Sequence, residues 1–351
     1  MPVSARMGRD RRSATVGFPP KLPYLHLVGC PACRGTLEVD SDRLICRSCH
    51  SDFAIREGVS RLYWPHSSPQ PGDVTDVVRS FYESNPFPDY EDFDSLASLI
   101  DKAKKGVFAR LLDREIPFGA RVLECGCGTG QLSNFLGIAH RTVFGVDLSL
   151  NSLALAQAFR DRYQLERVFF LQMNLFSPVF AEQSFDVVIC NGVLHHTSDP
   201  DLGYKILSRL VKPGGHLIVG LYHRFGRLAT DLRRGIFRFS GQKLSFLDPR
   251  LRKGNLGPAR KKAWFNDQYR NPHEVKYTIS RVLDWIEPNG LEFVRSIPAT
   301  RLLSSPLSGA QTLFQPDPPG GPLSRWLVEL SQVIQGGAEG GFFTIIARKK
   351  E

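Results

Sequence analysis

Between Arg121 and Tyr222 the chain alternates short apolar runs with amphipathic stretches. Val122-Leu123, Thr142–Val146, Val168–Gln172, Phe185–Cys190 and His216–Tyr222 have the length and composition of strands. Phe185–Cys190 is almost wholly apolar, as a strand covered on both faces requires. Leu150–Tyr163 sets Leu153, Ala156 and Phe159 on one helical face, and Asp199–Leu210 reads as a second helix. Lys212-Pro-Gly-Gly215 is a turn feeding the fifth run. The alternation predicts a parallel α/β sheet whose ligand lies at the carboxyl ends of the strands.

The pattern differs on either side of this stretch. Upstream, Leu96, Leu99, Ile100, Ala103, Val107, Leu111 and Leu112 share a face and predict one helix over Asp94–Glu115. Asp94 would cap it, and Pro117 and Gly119 would end it. Phe81–Asp94 packs five aromatics and two prolines into 14 residues. That predicts an irregular loop, either a lid over a pocket or a clasp between domains. Downstream, the alternation breaks after Tyr222. It resumes at Asn271-Pro-His-Glu274, which reads as an N-cap, a first-turn proline and a capping-box acid for a helix to Glu287. Leu291–Ile297 and Phe342–Ala347 are the last strands. Residues 298–341 are rich in Pro, Gly and Ser, and no regular structure is expected there.

The cysteines add a second unit. Cys30-Pro-Ala-Cys33 and Cys46-Arg-Ser-Cys49 are two C-x-x-C knuckles separated by 12 residues. Four thiolates so spaced suit a tetrahedral structural zinc, with no position left open for catalysis. A stretch of about 40 residues hardly folds without such a staple. This segment resembles the zinc ribbon of Trm112-like proteins, a module that accompanies several methyltransferases. The expected layout is a disordered basic tail over 1–24, the ribbon over 25–65, and a linker, aromatic lid and helix over 66–118. The main domain covers 119–351, with insertions at about 223–270 and 298–341.

The candidate chemistry centres on Val122–Gly130, VLECGCGTG. Gly126, Gly128 and Gly130 follow Glu124 at the end of a strand and precede a helix, a place where backbone N–H groups can approach a ligand. The spacing is G-x-G-x-G rather than the dinucleotide G-x-G-x-x-G. With Asp147 ending the next strand 23 residues after Glu124, and Leu194-His195-His196 followed by Asp199-Pro200, it resembles the class I S-adenosylmethionine-dependent methyltransferases. The resemblance implies a Rossmann-like seven-stranded sheet whose last two strands form an antiparallel hairpin. Glu124 would orient the cofactor's ammonium, and Asp147 would accept from the ribose hydroxyls. Asn174 would meet the adenine, where the family usually has an acid, and Asn191 would touch the cofactor or hold the loop. His195 and His196 are candidate bases, since histidine titrates near neutrality. Asp267 and Tyr269, in Trp264-Phe-Asn-Asp267-Gln-Tyr269, are the second pair, because similar segments border the substrate pocket in relatives. The fourth strand runs into Asn191-Gly-Val-Leu, not the NPPY of amino-methylating enzymes.

Composition narrows the partners. Apolar residues make up 42% and charged residues 23%, ordinary for a globular protein, and no apolar run is long enough to span a membrane. The Arg-rich N-terminus lacks the apolar core of a secretory signal, so a cytoplasmic location is expected. Between His223 and His273 there are 13 Lys/Arg against three acids, which equals the whole net charge of +10. Such a block points to an anionic partner or to a solvated helical face. Three functions follow. The first is methyl transfer to a small-molecule or lipid-like acceptor. The second is methylation of an RNA base, with ribbon and basic block as the grip. The third is a non-catalytic scaffold, which the complete glycine loop opposes.

Overall fold

The computed structural model describes residues 22–65, 72–88, 95–252, 257–301, 312–339 and 341–351. The expected tail, the linker at 66–71 and part of the aromatic segment (89–94) lie outside them. One sheet of eleven strands runs through the molecule in the order β1-β2-β3-β4-β7-β6-β5-β8-β9-β11-β10. Its centre is β5 (Arg121–Cys125), β6 (Thr142–Asp147), β7 (Val168–Gln172), β8 (Phe185–Asn191) and β9 (Val211–Tyr222). These five are parallel, so their carboxyl ends form one rim. Val122, Leu123, Val188 and Ile189 are fully buried between helices on both faces, which is why these strands read as continuous apolar runs. β11 (Phe342–Lys349) pairs antiparallel with both β9 and β10 (Leu291–Ile297). This is the Rossmann-like seven-stranded sheet that the resemblance implies, its last two strands antiparallel.

The cysteine unit supplies β1 (Leu37–Asp40), β2 (Arg43–Cys46), β3 (Asp52–Arg56) and β4 (Val59–Arg61). β4 lies parallel to β7, Ser60 opposite Leu171, so the ribbon extends the main sheet rather than hanging beside it. The cores fuse as well. Tyr24, Leu44, Phe53 and Ile55 belong to the same buried cluster as Phe144, Leu171, Phe180 and Phe185. Tyr24 packs edge-on to Phe144 at 5.7 Å and shares a 3.0 Å hydrogen bond with the Ser60 hydroxyl. Each fully buried apolar side chain along this seam contributes about 1.5–3 kcal/mol.

Four expectations change. Helix α1 (Thr75–Ser84) takes Phe81 and Tyr82 into its last turn, so only Asn85–Pro88 of the described aromatic segment is irregular. The helix expected over 94–115 is two, α2 (Leu96–Lys105) and α3 (Val107–Glu115), broken at Gly106, whose extended backbone stops the first. Ser95 is the cap, in a capping box with Ser98, and Asp94 lies outside the described residues. The helix expected from Asn271 begins only at Ile279, capped by Thr278. Glu274 is drawn instead into an ion pair with Arg227, and Tyr277 bridges to the end of β9. Finally, residues 298–341 contain a helix of 18 residues, Pro322–Glu339.

Candidate active site

The strand ends meet one cavity of about 580 Å³. Glu124, Asp147, Asn174, Asn191 and Tyr222 line it from β5, β6, the turn after β7, β8 and β9. The glycine loop between β5 and α4 (Gln131–Gly137) shapes its floor. Gly128, at φ +52°, donates its N–H to Asp147 Oδ2 at 2.9 Å. A Cβ there would lie 2.1 Å from the Phe87 carbonyl oxygen, so the loop beyond α1 sits on this glycine. Thr129 adds a hydroxyl bond to the Pro88 carbonyl. Gly126 also lines the cavity, whereas Gly130 does not: its missing Cβ makes room for Ala156 and Phe170 in the layer behind.

Glu124 is buried and Asp147 partly buried at the cavity wall, both without a basic partner among the described residues. Glu124 accepts from the Ser133 hydroxyl, and Asp147 from Gly128 N–H and Ser149 N–H. Neither forms an ion pair among the described residues. Burial therefore pushes Glu124 up to about 7 and raises Asp147 from the ordinary carboxylate range. A cationic ligand would relieve both. This is the fit expected for S-adenosylmethionine, whose sulfonium and ammonium are positive and whose diol can donate to a carboxylate.

Asn174 is buried and committed. Its Nδ2 donates to the Trp64 carbonyl at 3.2 Å, and its Oδ1 accepts from Phe176 N–H at 3.0 Å. It lines the cavity but spends much of its hydrogen bonding on tying the ribbon's exit to β7. Asn191 lines the cavity with its Oδ1 buried and unpartnered.

Opposite the glycine loop lies a polar cluster. Tyr82 donates to Asp267 Oδ1 at 3.0 Å and accepts from Asn271 Nδ2 at 2.9 Å. Gln268 Nε2 donates to Asp267 Oδ2 at 2.8 Å and to the Tyr222 hydroxyl at 2.7 Å. Arg227, fully buried, lies 3.8 Å over the Tyr222 ring, holds Gln268 Oε1, and pairs with Glu274 at 2.6 Å. His196 lines the cavity beside this cluster. Its Nδ1 meets the His273 carbonyl at 2.7 Å, which assigns the proton to Nδ1 and the lone pair to Nε2. Burial lowers its pKa, although the Asp267 charge opposes this.

The other two candidates lie outside the cavity wall. His195 is sealed between His196 and Tyr222, with both ring nitrogens unpartnered, and burial holds its pKa well below the usual value. Tyr269 turns away to donate to Asp248 at 2.5 Å and packs with Phe237, Leu251 and Phe265. A π-helical turn over Asn266–Arg270 separates the neighbours, with Asp267 and Gln268 facing the cavity and Tyr269 the apolar cluster. Sequence reading missed Tyr82 and Gln268 as site residues. Tyr82 lay within the aromatic segment expected to form a lid or clasp but was not singled out, and Gln268 stood unremarked between the two candidates Asp267 and Tyr269.

At the ribbon, Cys30, Cys33, Cys46 and Cys49 bring their Sγ atoms within 4.8 Å of one another. Cys30–Cys49 and Cys33–Cys46 are 3.7 Å and 3.5 Å apart. Sulfurs about 2.3 Å from a tetrahedral zinc stand about 3.8 Å apart, so the set fits the ion. Gly35 N–H and Ser48 N–H point at Cys33 and Cys46 Sγ at 3.4 Å, the outer shell that a thiolate–metal site uses.

Residues 123–219 match the methyltransferase domain family, and residues 21–58 match the Trm112p-like protein family. The chain joins a Trm112p-like domain to a methyltransferase domain. It is 29% identical over 251 residues to an uncharacterised Synechococcus protein, covering 64% of this chain and 60% of that one. It is 32% identical over 160 residues to an arsenite methyltransferase of Aquipseudomonas alcaligenes, covering 38% of this chain and 46% of that one. It is 36% identical over 113 residues to a ubiquinone biosynthesis O-methyltransferase of Ralstonia nicotianae, covering 30% and 44%. The chain thus spans about half the length of the curated relatives it matches.

Proposed function

We propose that this protein binds S-adenosylmethionine on the glycine loop and transfers its methyl group to a small-molecule acceptor held against the Tyr82–Asp267–Gln268–Tyr222 cluster. The observation that carries this is a pair of carboxylates without basic partners among the described residues, Glu124 buried and Asp147 partly buried, facing one cavity of small-molecule size. The relatives named for arsenite and for ubiquinone biosynthesis support an acceptor of that size. S-adenosylmethionine would bring an electrophilic methyl, displaced in line. The chain's part is to align the acceptor and exclude water. Where the acceptor sheds a proton, His196 Nε2 is placed to take it, with Asp267 stabilising the imidazolium. Asp267 is itself held by Tyr82 and Gln268, and Arg227–Glu274 fixes Gln268 in turn. Titration calorimetry tests the reading. Asp147→Ala should weaken S-adenosylmethionine binding at least 30-fold, while His196→Gln should leave binding intact and reduce turnover. Wild-type affinity in Asp147→Ala would refute the assignment.

The raised Glu124 pKa sets a pH dependence. A cation binds the carboxylate form, so affinity should rise from pH 5.5 through about 7 and level off about one unit above that. Glu124→Gln should remove that rise while keeping any change due to the ligand's own amine. The same shift destabilises the free protein as pH climbs from the ordinary carboxylate range, near 4.5, through about 7. A flat affinity profile in the wild type would exclude Glu124 from ligand contact.

A further inference from the structure

Thirteen large apolar side chains are exposed among the described residues, and ten of them lie between Leu228 and Ile334. They fall on helix α5 (Leu228–Ser240), on the 3₁₀ segment after it, and on helix α6 (Pro322–Glu339), which packs against α5. On α5, Leu228, Leu232 and Phe239 are 49%, 70% and 94% exposed. At about 100° per residue their directions agree within about 40°. On α6, Leu323, Trp326, Leu327 and Ile334 form a second outward stripe. Neither stripe is covered by another part of the described chain.

Exposed charge on these elements and the segments next to them in the basic block is predominantly positive. Arg224, Arg238, Lys243, Arg252 and Lys262 are exposed. The three acids of the basic block are taken up by partners, Asp248 and Asp267 in the interior and Asp231 partly exposed. Asp231 pairs with Lys276 at 2.6 Å, Asp248 accepts from Tyr269 and Trp264, and Asp267 from Tyr82 and Gln268. An apolar stripe beside unpaired cations suits the headgroup region of an anionic bilayer, where alkyl and aromatic groups sink and basic groups meet phosphate. A second copy of the chain would set this positive face against itself. Nucleic acid would leave the leucine and isoleucine side chains without apolar contact. No helix among the described residues is long and apolar enough to cross a membrane, so the contact is one of lying on the surface. The same segment reaches the active site, since Arg250 and Trp264 line the cavity.

We propose that the face formed by α5, the 3₁₀ segment and α6 docks the protein on an anionic lipid surface, with the cavity mouth close to that surface. This surface stands independently of the methyl-transfer reading. Co-sedimentation of the full chain with phosphatidylcholine vesicles, with and without 30% phosphatidylglycerol, tests it. Binding is expected only with the anionic lipid and should weaken with salt. It should fall at least tenfold in Phe239→Glu/Trp326→Glu, and Trp326 emission should shift to the blue on binding. Both substitutions are on exposed side chains, and an unchanged melting curve and unchanged S-adenosylmethionine affinity confirm that the variant is folded. No binding to anionic vesicles would overturn the proposal, as would equal binding by the variant. Concentration-dependent dimerisation or RNA binding that the double variant abolishes, with vesicles ignored, would overturn it equally.

Discussion

Cys46→Ser is expected to lose bound zinc and to lower the melting temperature of the whole protein by about 10 °C. The ribbon's four strands are too few to hold a core alone, so without metal they unfold. The loss does not stop there. β4 supplies the edge hydrogen bonds of β7, and Tyr24, Leu44 and Phe53 cover Phe144 and Phe180. Unfolding the ribbon exposes those aromatics and frees Asn174 from the Trp64 carbonyl at the cavity wall. Zinc analysis with scanning calorimetry checks this. A zinc-free variant in which the main transition is unmoved would show that the seam carries no stability.

Gly128→Ala is expected to weaken S-adenosylmethionine binding at least 100-fold and to destabilise the fold by several kcal/mol. Left-handed backbone alone costs an alanine about 1–2 kcal/mol. The greater part comes from the Phe87 carbonyl oxygen, 2.1 Å from the new Cβ. Relief requires the loop after α1 to lift, which opens the cavity, or the glycine loop to sink, which breaks the bond to Asp147. Gly119→Ala separates the two terms: Gly119 is also left-handed, at φ +76°, but a Cβ there meets nothing within 4 Å. It should cost only the backbone strain and leave ligand affinity unchanged. Calorimetry and denaturant titration on both variants distinguish these outcomes. Equal behaviour of the pair would mean that the contact with Phe87 is irrelevant.

The sheet was legible because each central strand is buried on both faces, which forces a continuous apolar run ending at a polar residue. Glu124, Asp147, Asn191 and Tyr222 could be placed from that alone. The opposite wall was not legible. Glu274 sits where a capping-box acid belongs, and only tertiary structure shows that a buried arginine claims it. Tyr269 and Asp267 are two apart, and a π turn decides which of them meets the cavity. The basic block misled in another way. Charge counting assigned all of it to the outside, yet Arg227 is among the largest fully buried side chains and belongs to the site's scaffold. His195 and His196 are neighbours in sequence, but only His196 has a wall of the cavity.

The seam between β4 and β7 also bears on assembly. A zinc ribbon that must find its methyltransferase in solution gives up translational freedom each time it docks. Here the chain itself holds the two at an effective concentration in the millimolar range. A free ribbon added in trans has to compete with that, which disfavours exchange of the module between catalytic partners. Its stoichiometry is set at synthesis, and the β7 edge, which would otherwise invite pairing with any strand nearby, has its occupant from the outset.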